Sequence, residues 1–228
     1  MVKNIISQRS GRFKALMSIL PNKLKVIRFG DCYNQSTILP PYLKAVCFGN
    51  MYNQCTIFPP HVKYIEFGYM YNQPTILPDN VIRVKFGYKF NTSTYFSNSL
   101  KHVTFGHDYN QPTVLNDGVV SVEFGSNYNQ PTVFPDSVIM VKLGFKCYDD
   151  NIVFSKNLQS LRCSNFNGKW ASQLLDIFSL ISCVSKYLSP TYKEEYKCVV
   201  EHVLKNKHNI VSKQRSLLSY MLLCISVC

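Results

Sequence analysis

The chain has 228 residues, is 46% hydrophobic and 14% aromatic, and carries a net charge of +12. That is long enough for a repeat domain plus a small second unit, and its apolar content excludes an intrinsically disordered chain. The nine cysteines are odd in number, show no pairing rhythm and include no CxxC, which excludes a disulfide scaffold and suits reduced thiols in an intracellular, cytoplasmic protein.

The first 20 residues, beginning MVKNIISQRSGRF, lack the continuous apolar run of a secretory signal. They hold the worn copy of a unit that recurs downstream. Ser18-Ile19-Leu20-Pro21 lies 19 residues before Thr37-Ile38-Leu39-Pro40, and Gly11 lies 19 before Gly30. By that spacing Ser10 stands where later units carry Phe. A more polar first coil fits an amino-terminal cap over residues 1–20, because an open solenoid end would aggregate; a flexible basic tail is the alternative.

From residue 21 to 165 the unit repeats with a period of 19. Phe29, Phe48, Phe67, Phe86, Phe105 and Phe124 each precede a glycine, and Leu143-Gly144 is a variant. Three residues after each glycine comes an aromatic and then Asn, at Asn34, Asn53, Asn72, Asn91, Asn110 and Asn129. A fixed period in this range marks stacked structural repeats. Side chains alternate in extended backbone, so in the V-x-F segment Val46 and Phe48 face inward, and the glycine frees the chain to turn out of the strand. The return half, QPTILPDN in the third unit, has prolines four residues apart and is extended rather than helical, with turns at pairs such as Asp79-Asn80. Coils this narrow bury their apolar side only by stacking. Seven to eight of them make a rod of about 35 Å, with internal columns of Phe and of Asn, the latter hydrogen-bonding backbone groups of its own and the next coil.

The fourth unit reads FNTSTYFS and lacks both the Gln and the prolines, which predicts a persisting coil with a looser return edge. The seventh is one residue longer and puts Asp149 where Asn stood; a last strand around Leu158, Leu161 and Cys163 ends the array near residue 165.

The unit Y/F-N-Q-P-[TS]-[IV]-[LF]-P followed by L/V-x-x-V-x-F-G resembles the FNIP repeat, a family related to leucine-rich repeats and expanded in social amoebae and in giant viruses of amoebae. The likeness covers about residues 21–144. It implies a leucine-rich-repeat-like solenoid used for protein binding. Several viral members carry an F-box before the repeats; about twenty residues precede the first full strand here, too few for that helical segment, so a link to ubiquitination is not carried over.

From Trp170 the spacing becomes helical. Leu174, Ile177, Phe178 and Ile181 line one face, Tyr192, Tyr196, Val199, Val200 and Val203 a second, and Leu217, Leu218, Met221, Leu222 and Ile225 a third. Thr191 and Glu194 form a capping box after Pro190. Residues 166–228 are therefore expected to form about three helices that cap the last coil or recruit a partner. The apolar run from Leu217 to Cys228 is shorter than the about 20 residues a bilayer span needs.

The expected fold is thus a mainly β repeat solenoid with a parallel strand ladder and a carboxyl-terminal helical cap. The repeated Phe and Asn positions are scaffold. What varies from coil to coil is the outward strand face, where Arg28, Tyr64, Glu66, Arg83, Lys85, His102, Thr104, Glu123 and Lys142 are the candidates for contact with a partner protein. Positive charge is spread over the three regions, +4 in each, which permits weak nucleic-acid association without favouring it; a purely structural assembly role is the other alternative. The five histidines have no nucleophile or carboxylate spacing, and there is no Gly-rich phosphate loop, the glycine after each Phe belonging to the period. No enzymatic activity, cofactor or metal is expected.

Overall fold

The fold is that of a computed structural model, which describes residues 3–6 (backbone only), 20–147, 150–163 and 170. The expected helices of residues 166–228 and the Asp149 substitution lie outside the described residues.

Short strands follow one another along the chain: β1 (Lys3–Ile6), β2 (Val26–Phe29), β3 (Ala45–Cys47), β4 (Tyr64–Glu66), β5 (Arg83–Lys85), β6 (His102–Thr104), β7 (Ser121–Glu123), β8 (Thr132–Val133), β9 (Met140–Leu143), β10 (Ile152–Val153) and β11 (Ser160–Cys163). Nine of them form one parallel sheet in the order β1-β2-β3-β4-β5-β6-β7-β9-β11, and β8 and β10 pair on the opposite edge. Register is strictly periodic through the middle: Ile65 opposes Val84, Val84 opposes Val103, and Val103 opposes Val122. The result is a parallel-strand solenoid of about seven coils, and no α-helix occurs among the described residues.

The core is built of columns, one residue from each coil. Ile27, Val46, Ile65, Val84, Val103, Val122 and Val141 form the central column, and the Phe column flanks it, all buried. Phe67 stacks on Phe86 with ring centroids 5.6 Å apart and planes within 7°. Within each coil the Phe also stacks on the aromatic that follows the glycine, as in Phe67 on Tyr71 at 3.7 Å. Aromatic pairs of this kind contribute roughly 0.5–1.5 kcal/mol beyond area burial. The tyrosine hydroxyls enter the core with a partner: Tyr71 bonds Thr75 at 2.7 Å, and Thr75 Oγ1 donates to the Gln73 carbonyl at 2.9 Å. That relay explains why Tyr and Thr recur four residues apart, and the fourth coil, with Phe90, dispenses with the hydroxyl.

Several expectations change. The interior column beside Phe is the aromatic one, Tyr33 to Tyr128, and the Asn column lies at the surface, because successive residues of the extended chain point to opposite sides. The Asn residues still bond the next coil, and the Asn72 side-chain oxygen accepts the Asn91 N–H at 2.9 Å. The Phe-Gly glycines are required by proximity rather than by turning: none has positive φ, and a Cβ on Gly87 would sit 1.7 Å from the carbonyl oxygen of Gly68. Finally, β1 lies four residues earlier than the period places it. Lys3 opposes Val26 and Ile6 opposes Phe29, so Ile6 takes the register position that the spacing assigns to Ser10.

The fourth coil keeps its place. Thr92 Oγ1 bonds the Asn72 oxygen at 2.8 Å, in the role Gln73 plays one coil earlier, and Tyr95 forms a bridge with Ile76. Its return edge is aligned, not loosened.

Candidate partner-binding face

Because inward side chains occupy alternate positions, each strand turns two outward. One outward column runs Val26, Ala45, Tyr64, Arg83, His102, Ser121, Met140; the other runs Arg28, Cys47, Glu66, Lys85, Thr104, Glu123, Lys142. All nine expected contact residues lie in these columns and are exposed or half-exposed. The chain cannot vary the inward positions without opening the stack, so within each strand the variation between coils falls on the outward positions.

Its middle is organised around Glu66. Tyr64 donates to Glu66 Oε2 at 2.8 Å, and Lys85 pairs with Glu66 Oε1 at 2.8 Å across β4 and β5. Partial burial pushes the Glu66 carboxyl up, but the bonds from Lys85 and Tyr64 outweigh it and hold it below its ordinary value. On the next strands Arg83 opposes His102; burial first and the Arg83 charge second keep His102 neutral to lower pH than an ordinary imidazole. Further along, Lys142 pairs with Glu123. Arg28, Arg83, Lys85, Lys142 and Arg162 stand against Glu66 and Glu123, so the face is basic but mixed.

Cys47 departs from the outward pattern, being 8% exposed between Arg28 and Glu66. Burial, then Glu66, push its thiol pKa up, which suits packing rather than reactivity.

Two further columns went unassigned from the sequence, although the same period contains them. The residue after each glycine gives a turn column in which Tyr88 stacks on Tyr69 at 4.7 Å and on His107 at 4.4 Å. Beside it Lys89 pairs with Asp108 at 3.1 Å, and Asp108 also meets His107 Nδ1 at 2.8 Å. On the return edge the residue at the [IV] position of T-[IV]-[LF]-P, Tyr95 in the fourth coil, points outward in every coil from Ile38 to Val153. Among the described residues no three His, Cys, Asp or Glu side chains gather as a metal site, and no helix is long and apolar enough to cross a membrane.

Parallel coils of this period, with an Asn ladder and a variable strand face, define a leucine-rich-repeat-like solenoid. The FNIP Repeat family model matches residues 33–70, which with the parallel coils supports an FNIP- or leucine-rich-repeat-like repeat protein. It is similar to a solved structure described as CroV588, a circular LRR protein, with 26% identity and a TM-score of 0.55 over 65% of this chain. The match spans 28% of that protein's length. No curated protein matches the sequence. Repeats of these classes generally mediate protein–protein interaction, and the fold is typically a non-enzymatic scaffold.

Proposed function

We propose that this chain is a non-enzymatic, intracellular binding scaffold that holds a partner protein on its outward strand face, centred on Tyr64, Glu66, Arg83, Lys85 and His102. The observation that carries the reading is the contrast between columns: the inward positions are near-uniform from coil to coil, while the outward ones differ in charge, size and polarity on the same rigid sheet. A half-buried carboxylate hydrogen-bonded between the Tyr64 hydroxyl and the Lys85 ammonium is a preorganised polar surface, and preorganisation reduces the ordering cost of binding. Both signs of charge occur on the face, which suits protein contacts better than a phosphate track.

Affinity capture with the wild type and with Tyr64→Ala, Arg83→Ala and Lys85→Ala combined tests the proposal. A partner lost from the triple variant, at unchanged thermal stability, supports it; unchanged partners contradict it. The alternative, nucleic-acid association through the +12 charge, predicts binding that weakens steeply between low and physiological salt, whereas a protein interface need not.

A further inference from the structure

We propose that the return edge is a self-association surface through which two copies of this chain pair by their apolar ridges, leaving both strand faces open. The ridge consists of Ile38, Ile57, Ile76, Tyr95, Val114 and Val133, each 19 residues from the next. Their exposures are 93, 92, 89, 94, 83 and 67%. They are forced outward because the residues on either side, such as Thr75 and Leu77, turn into the core.

Three features point to a second copy as the occupant. The first is size. Six β-branched or aromatic side chains this bare, with the edges of their neighbours, offer on the order of 800 Å² per copy, what a standard specific interface needs. Monomers rarely leave more than a few hundred Å² of contiguous apolar surface uncovered.

The second is charge. In each of the six coils of the ridge the six residues from the Gln position to the Pro position, for example 35–40, 54–59 and 130–135, contain no Lys, Arg, Asp, Glu or His. On a chain of net charge +12, this strip is where two copies can meet without bringing like charges together.

The third is period. The ridge repeats at the strand spacing of about 4.8 Å, so its knobs fall between those of an identical ridge laid antiparallel about a two-fold axis, an isologous contact. A surface without this repeat would match one or two knobs and miss the others. At one end an open furrow lined by Ile38, Ile57, Phe58 and Pro59 already offers a gap of this kind.

Light scattering coupled to size exclusion, on the full chain over a range of concentrations, tests the proposal. The wild type is expected at twice the 26.2 kDa chain mass and to dissociate on dilution. Ile57→Lys with Ile76→Lys should weaken pairing by about a hundredfold or more. Both positions are solvent-facing in the single chain, so the circular dichroism and melting temperature of the variant at low concentration should match the wild type. Arg83→Ala with Lys85→Ala, on the strand face, should dimerise normally. A wild type that stays monomeric throughout overturns the proposal, whether its ridge is bare or covered by another part of the chain. So does a dimer that survives the double lysine change.

Discussion

The side-chain oxygen of Asn53 accepts the backbone N–H of Asn72 at 2.9 Å, and takes a second bond from the Gln73 amide at 3.1 Å. The same 2.9 Å bond joins Asn34 to Asn53, Asn72 to Asn91, Asn91 to Asn110 and Asn110 to Asn129. Each rung supplies an acceptor to a backbone donor of the next coil, so the Asn of one repeat stabilises its neighbour more than itself. Asn53→Ala should lower stability by about 0.5–1.5 kcal/mol in urea denaturation. Asn53→Asp, which keeps an acceptor oxygen, should lose less.

The glycine column is a harder constraint. A Cβ at Gly87 or Gly106 would lie within 2 Å of a carbonyl oxygen of the preceding coil, and the coils must separate to admit it. Gly87→Ala should therefore destabilise by about 3 kcal/mol or more, well beyond the effect of the exposed change Lys85→Ala. Comparing the two urea midpoints checks this.

Alkaline pH should unravel the stack from within. Burial raises the tyrosine hydroxyls of the core column, Tyr52 and Tyr109 to about 12 from an ordinary 10.0, with the Thr bonds opposing only in part. A folded-state pKa above the unfolded one means that this contribution is full below pH 10 and is lost as pH rises toward 12. The melting temperature should be flat near neutrality and fall steeply across that interval. Tyr52→Phe together with Tyr109→Phe should flatten the fall, at a cost of about 1 kcal/mol per lost hydrogen bond at neutral pH.

The strand-face ion pairs should matter little to folding. Lys85 and Lys142 keep 53 and 52% of their side-chain surface in solvent, and exposed pairs contribute about 0–1 kcal/mol. Lys85→Ala or Lys142→Ala should leave the melting temperature almost unchanged even at low salt, so that any effect on partner capture reads binding alone.

Legibility in the sequence followed the period. Columns whose residue type is nearly invariant, the Phe and the central Val/Ile, could be assigned inward because alternation in V-x-F is unambiguous. Alternation also placed Arg28, Tyr64, Glu66, Arg83, Lys85, His102, Thr104, Glu123 and Lys142 on one face. Asn was misplaced inward because a repeated polar residue satisfies buried backbone as readily as exposed backbone, and the residue type does not separate the two; only the Tyr preceding it shows which side is the core. Sequence spacing shows no distance between coils, so the glycine requirement looks conformational until the coils are stacked and the 1.7 Å approach to Gly68 exists. Ile76 and its equivalents escaped notice because an apolar column at the repeat period reads as core by default. The early position of β1 was hidden for the opposite reason: Ile6 lies off the 19-residue grid, which offered Ser10 instead.

The central claim is that successive 19-residue segments are interchangeable layers of one stack, and deletion of a whole layer tests it most directly. Removal of residues 69–87 joins Gly68 to Tyr88 and lets the fourth coil settle on the second with every column intact. Far-UV circular dichroism should keep its shape, and urea unfolding should remain cooperative with a reduced midpoint, while removal of residues 69–80, which breaks the register, should abolish the transition. Equal loss of structure in both deletions, or an unfolding transition retained by the shorter one, would contradict the stacked-layer account.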